Sequence, residues 1–189
     1  MGPPGAGKST FINNATNCEP ESPVGHGLSP ETIKIQAFRV IRNNRPFVFI
    51  DTPGFDDVNS KVTTEQAILN LVSVKASKYK VKLACIVYLH KISDNRLTFH
   101  KARENSILFE NLLERDGTGK LPYERVLLVT TMWKDEHTDP MYSSKMQREG
   151  DLQNQYWQGV DHVGQKILRF YNNPNSAWEL IEGVSGLVV

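Results

Sequence analysis

The stretch Gly2-Pro3-Pro4-Gly5-Ala6-Gly7-Lys8-Ser9 restricts this chain more than any other. It fits GxxxxGK[ST], the P-loop pattern, in which glycines let backbone N–H groups converge on phosphate oxygens. The N-terminus of the following helix adds its positive end. In this pattern Lys8 reaches the β- and γ-phosphates and Ser9 holds Mg²⁺, with Thr10 completing the phosphate-side set. A loop of this kind needs an α/β scaffold, so the rest of the chain should alternate strands and helices.

It does. Gly2–Ser9 reads as a loop, Thr10–Thr16 as the first helix and Cys18–Glu31 as a Pro-containing loop. From Thr32, apolar residues alternate at Ile33, Ile35 and Ala37, which is strand period. Phe47–Ile50 is a continuous apolar run, expected to be a strand buried on both faces. The Asn43–Pro46 turn before it is too short for a crossover helix, so these strands should form an antiparallel hairpin. Thr63–Lys78 and Phe99–Arg115 have helical spacing, and Leu83–Leu89 and Arg125–Thr130 read as further buried strands. Lys145–Gln165 should be mostly helical, Ile167–Tyr171 a last strand and Ser176–Ile181 a final helix after Pro174. The expectation is one domain, residues 1–189: a three-layer α/β fold with a mostly parallel sheet and one antiparallel hairpin strand. Phe47–Ile50, Leu83–Leu89 and Arg125–Thr130 are its expected central strands.

Composition removes several classes. A net charge of +1 argues against nucleic-acid binding driven by bulk charge. Two cysteines, Cys18 and Cys85, make neither a disulfide framework nor a four-ligand zinc site, and they suit a reducing compartment. The apolar run at Leu83–Leu89 is far below the roughly 20 residues of a membrane span. Without a basic, apolar leader at the N-terminus, a cytoplasmic location is expected.

Asp51-Thr52-Pro53-Gly54 fits DxxG, as do Asp116–Gly119 and Asp161–Gly164. Only Asp51 follows a buried strand, which would place it beside the P-loop at the strand's C-terminal edge. There Asp51 can hold Mg²⁺ through water, and the Gly54 N–H can sense a γ-phosphate. Thr32, at the end of a Gly/Pro loop, could complete the Mg²⁺ shell and be released on hydrolysis, making that loop a switch. The assigned metal set is therefore Ser9, Thr32 and Asp51, and the catalytic set Lys8, Thr32 and Gly54.

Base recognition is less regular. Guanine-specific proteins carry Asn/Thr-Lys-x-Asp after a late strand, whereas no Lys here is followed two residues later by Asp. The corresponding stretch is Thr130-Thr131-Met132-Trp133-Lys134-Asp135. Asp135 is the available carboxylate, and Trp133 or Met132 could cover the base plane. Phe55 follows Gly54 where Ras-like proteins place a water-orienting Gln. No Arg lies in Cys18–Glu31; His26, His90 and Arg96 are the remaining polar candidates, each better explained structurally. Lys75, Lys78, Lys80 and Lys82 read as a solvated basic face.

Together these motifs resemble a septin-related group of TRAFAC-class GTPases, similar also to immunity-associated (GIMAP) and chloroplast-import-receptor GTPases. The resemblance is nearest to predicted G-domain proteins abundant in fungi. It is carried by Gly5–Asn14, Val24–Thr32, Ile50–Asp57, Ile86–Arg96 and Val129–Trp133, with Asn172–Trp178 resembling the final base-side loop. It implies GTP/GDP binding, Mg²⁺ dependence and slow hydrolysis, with a second copy meeting the nucleotide face as the expected partner. The alternatives are a non-hydrolysing assembly or scaffold module, an ATP-specific P-loop protein and a nonfunctional fragment. P-loop folds run a central strand straight into the Gly-rich loop, and none precedes position 2. The chain is thus expected to be N-terminally truncated, leaving a gap in the sheet or direct closure of its neighbours.

Overall fold

The computed structural model describes residues 1–17, 36–54, 74, 84–94, 126–156 and 167–183. Helix α1 spans Lys8–Thr16 and starts two residues earlier than its periodicity suggests. Gly7, at φ 86°, turns the loop directly into the helix, which only glycine does without strain. Strands β1 (Gln36–Arg42) and β2 (Arg45–Asp51) pair antiparallel, from Gln36 opposite Asp51 to Arg42 opposite Arg45. Their turn is Asn43-Asn44, both at positive φ (50° and 60°), the left-handed pair that a two-residue hairpin favours. Arg45 and Pro46, expected in the turn, belong to the ladder instead.

Strands β3 (Ile86–Lys91), β4 (Val126–Thr131) and β5 (Leu168–Arg169) form a parallel sheet in that order. β3 is displaced toward the C-terminus from Leu83–Leu89, because His90 and Lys91 remain in register with Thr130 and Thr131. β5 is shorter than expected. Helix α2 (Tyr142–Asp151) runs into a π-helical turn, Leu152–Tyr156, and α3 (Pro174–Glu182) closes the described chain. Asn173 caps α3 by accepting a hydrogen bond from Ser176 N–H at 2.8 Å, with Pro174 at the first helical position. The alternation of strands and helices, the parallel sheet and the antiparallel hairpin are those the sequence leads one to expect. The expected loop Cys18–Glu31, the start of the first strand at Thr32–Ile35 and the helix Phe99–Arg115 lie outside the described residues. So do residues 157–165 and all of Thr63–Lys78 except Val74, which is helical.

One core cluster joins the two sheets. Phe11 and Ala15 of α1, Leu127 and Val129 of β4, and Ala177, Trp178 and Ile181 of α3 are all buried in it. Phe11 meets Phe170 edge to face at 5.1 Å. Trp178 receives Phe47 and Phe49 of the hairpin at 5.1 and 5.9 Å, and the Arg42 guanidinium lies 4.6 Å above its ring. The hairpin is thus docked on α3 by aromatic packing, and among the described residues no hydrogen-bond ladder joins it to β3.

This corrects one expectation: Phe47–Ile50 is only partly buried. An apolar run reports the capacity for burial, and among the described residues no strand covers the second edge of β2. On the edge of β3 away from β4, the Met1 amine donates to Val87 O at 2.6 Å and the Met1 carbonyl accepts from Leu89 N–H at 2.8 Å. Burial, with Lys8 nearby, pushes the Met1 amine down to about 5.

Candidate nucleotide site

The P-loop lies across the C-terminal ends of β3 and β4. Gly2 (φ 139°) passes so close to β3 that a Cβ there would stand 2.1 Å from Leu89 O. Ala6 is fully buried, and its carbonyl accepts from Thr131 Oγ1 at 3.0 Å, tying the loop to the end of β4. Lys8 is buried, with Nζ donating to the carbonyls of Gly2 (3.2 Å) and Pro3 (2.9 Å). The lysine curls over its own loop, holding its cation at the concave centre where phosphate oxygens are expected.

The hairpin delivers the second motif. Asp51, the last residue of β2, accepts a hydrogen bond from Ser9 Oγ through Oδ2 at 2.6 Å. Its other oxygen, Oδ1, is buried without a hydrogen-bond partner, as is Thr52 Oγ1. An orphaned carboxylate oxygen beside a serine hydroxyl is a donor set suited to a hard divalent cation. Gly54 packs on the loop so tightly that a Cβ would lie 2.8 Å from Pro4 N. Ser9, Asp51, Gly54 and Lys8 therefore converge, as their spacing suggests. Thr32, His26, Arg96 and Phe55 lie outside the described residues. His90 is fully buried in β3, and burial lowers its pKa to about 4 despite the nearby Asp94.

On the far side of α1, Asn14 Nδ2 donates to Asn172 Oδ1 at 3.0 Å, linking the P-loop helix to the loop between β5 and α3. Beside that loop an open recess of about 410 Å³ is lined by Trp133, Lys134, Asp135, Glu136, Tyr142 and Tyr171. Asp135 is exposed, and its Oδ1 accepts from His137 N–H at 2.9 Å. Trp133 is mostly buried, stacked against Arg169 at 4.2 Å and edge-on to Tyr142 at 5.9 Å. Met132 is the more exposed of the two expected base covers, at 45%.

Sequence reasoning missed the groups behind this recess. Lys145 Nζ contacts Met132 O at 2.7 Å and Asp139 Oδ2 at 2.6 Å. Arg169 Nε contacts both oxygens of Glu149, at 3.0 and 3.1 Å. Each pair joins a residue of α2 to one outside it, so no periodicity within one element marks them.

A glycine-rich loop opening a helix at the ends of parallel strands, with a strand-end aspartate against its serine, defines a P-loop nucleotide-binding protein of the G-domain type. Residues 1–113 match the family described as 50S ribosome-binding GTPase, more than half of the chain, and the protein belongs to that family. It is accordingly a GTP-binding protein. No curated protein matches the sequence. Among solved structures, a dimerization-deficient mutant of Toc33 from Arabidopsis thaliana is similar, with TM-score 0.57 and 16% identity, covering 96% of this chain and 78% of that one. Toc33 from Arabidopsis thaliana in complex with Mg²⁺ and GMPPNP has TM-score 0.54 and 18% identity, covering 89% and 67%. A third structure, from work on the dimerization and GTPase activity of the chloroplast translocon components atToc33 and psToc159, has TM-score 0.59 and 14% identity, covering 89% and 66%. At these identities the likeness is one of fold.

Proposed function

We propose that this protein is a Mg²⁺-dependent guanine-nucleotide switch with slow GTP hydrolysis, of the septin- and GIMAP-like kind, acting in the cytoplasm. The observation that carries the reading is the contact between Ser9 Oγ and Asp51 Oδ2 at 2.6 Å, with the second Asp51 oxygen buried and unpartnered. Ser9 and Asp51 would hold the cation, with Thr32 joining from the switch loop. The cation neutralises charge that develops on the phosphate oxygens. Lys8 would leave the Gly2 and Pro3 carbonyls for the β- and γ-phosphates, while the backbone from Gly2 to Thr10 orients them. Gly54, packed on Pro4, would report a γ-phosphate to the segment after β2. At the base end, Asp135 Oδ2 and the Tyr171–Asn173 loop are the available polar groups, with Met132 and Trp133 as apolar walls.

Nucleotide titrations test this. Lys8→Ala should remove most affinity for GTP, and Ser9→Ala should weaken binding in Mg²⁺ more than in its absence. Affinities unchanged by both would refute the assignment. Competition of labelled GTP by GTP and ATP checks the base, and Asp135→Asn should lower GTP preference if that carboxylate reads guanine.

A second reading is a nucleotide-dependent assembly module in which self-association governs or replaces hydrolysis. It is favoured by Phe55 after Gly54, and by the dimerization named for the similar chloroplast proteins. Single-turnover hydrolysis across a range of protein concentrations separates the two: a rate independent of concentration favours the self-sufficient switch.

A further inference from the structure

We propose that Lys145 and Arg169 are positioning residues that hold the 132–135 loop as the base-side wall of the site, an inference that rests on the guanine-nucleotide reading above. Met132 leaves β4 at φ 67°, a left-handed conformation that a non-glycine residue keeps only when its surroundings impose it. The imposed contact is Lys145, whose ammonium reaches Met132 O at 2.7 Å from helix α2. The same ammonium pairs with Asp139 Oδ2 at 2.6 Å, and the two side chains are only 8% and 4% exposed. Asp139 is itself anchored: its Oδ1 accepts from Met141 N–H at 3.0 Å and its N–H donates to Asp135 O at 2.9 Å. One buried ion pair therefore closes the segment from Met132 to Asp139 into a fixed loop.

Arg169 acts on the next residue. Its guanidinium stacks on Trp133 at 4.2 Å while Glu149 of α2 grips it from the side. Trp133 Nε1 donates to Thr130 Oγ1 at 2.9 Å, so the ring is held at one edge by a hydrogen bond and on one face by the guanidinium. Glu149 holds the Arg169 guanidinium well above its usual pKa, and Lys145 holds the Asp139 carboxyl below its own. Buried pairs are costly to assemble and costlier to halve, and their best-attested use is to select one arrangement over others. Here that arrangement is the wall of the recess carrying Trp133, Lys134 and Asp135. A wall fixed before the ligand arrives loses less entropy on binding.

The test uses the whole chain. Hydrogen exchange of amides 137–139, which donate to Asp135, is measured without ligand, alongside titrations with GTP, ATP and inorganic tripolyphosphate in Mg²⁺. In Lys145→Met, exchange of these amides should rise about tenfold while α1 amides stay protected. GTP affinity should fall about tenfold and GTP preference over ATP should shrink, with tripolyphosphate affinity unchanged. Asp139→Asn should give the same pattern more weakly, and Lys145→Arg should restore much of it. Unchanged exchange at 137–139 overturns the clamp. Equal loss of GTP and tripolyphosphate overturns the positioning role in favour of general destabilisation. A parent protein that binds GTP no more tightly than tripolyphosphate overturns the base-side reading itself, and the exchange arm then decides the clamp alone.

Discussion

Gly2 and Gly5 are both P-loop glycines at positive φ, yet their surroundings differ. A Cβ on Gly2 would strike the Leu89 carbonyl, whereas one on Gly5 would meet nothing within 4 Å. Gly5→Ala should therefore cost only the left-handed backbone penalty, about 1–2 kcal/mol. Gly2→Ala adds forced displacement of β3 and should cost about 2–4 kcal/mol. Urea melts of the two variants check the order. His90 sets a pH effect at the same scale. Its folded pKa, about 4, lies below the model-peptide value of 6.5, so protonation favours the unfolded chain. The stability it contributes is complete above about pH 6.5 and is lost as pH falls toward 4, up to about 3 kcal/mol. His90→Gln should flatten that part of the pH–stability curve, and an unaltered slope would assign the effect to other groups. The phosphate-side residues could be found in the sequence because their chemistry demands fixed spacing within one loop. Lys145 and Arg169 could not, because they serve the loop from other elements through contacts that leave no periodic trace.

At the scale of elements, the hairpin and α3 depend on each other. Trp178 is 4% exposed and carries Phe47, Phe49 and Arg42 on its ring. The surface pair of Arg42 with Glu182 at 2.9 Å, both about 40% exposed, adds at most about 1 kcal/mol. Trp178→Ala should cost about 3–5 kcal/mol and release β1 and β2 before the parallel sheet. Limited proteolysis in the hairpin ahead of global unfolding is the expected sign, and simultaneous loss of both sheets would contradict it. The antiparallel pairing of β1 and β2 was legible because a short turn permits nothing else. The partial exposure of β2 was not, because an apolar run records what a strand can bury and says nothing of whether a neighbour arrives to cover it.

For the whole molecule, among the described residues no strand pairs with the second edge of β2 or of β3, and Met1 is hydrogen-bonded to β3 at that edge. The Met1 amine donates in parallel-ladder fashion but is buried, with its pKa lowered to about 5 from 8.0. Since the folded pKa is depressed, stability is full above about pH 8 and falls as pH drops toward 5. Joining a short apolar strand ahead of Met1 should replace that amine with an amide, pair the open edges, raise the Tm and remove this pH dependence. Acetylating the terminus should remove the pH dependence while raising the Tm less. Equal melting curves for all three forms would show that these edges do not accept a strand.

The bond between Ser9 and Asp51 crosses from the body that carries the P-loop to the hairpin, which no backbone ladder joins to it among the described residues. Heat should thus melt the free protein over a broad range, with a calorimetric enthalpy larger than the van't Hoff value, since the hairpin can leave first. A ligand held by Ser9 and Asp51 together binds only when both bodies are in place. Its binding energy is shared by the two, and the enthalpies should converge as Mg²⁺ and nucleotide are added. In this molecule the ligand would serve as the keystone that makes the hairpin and the body carrying the P-loop unfold as one.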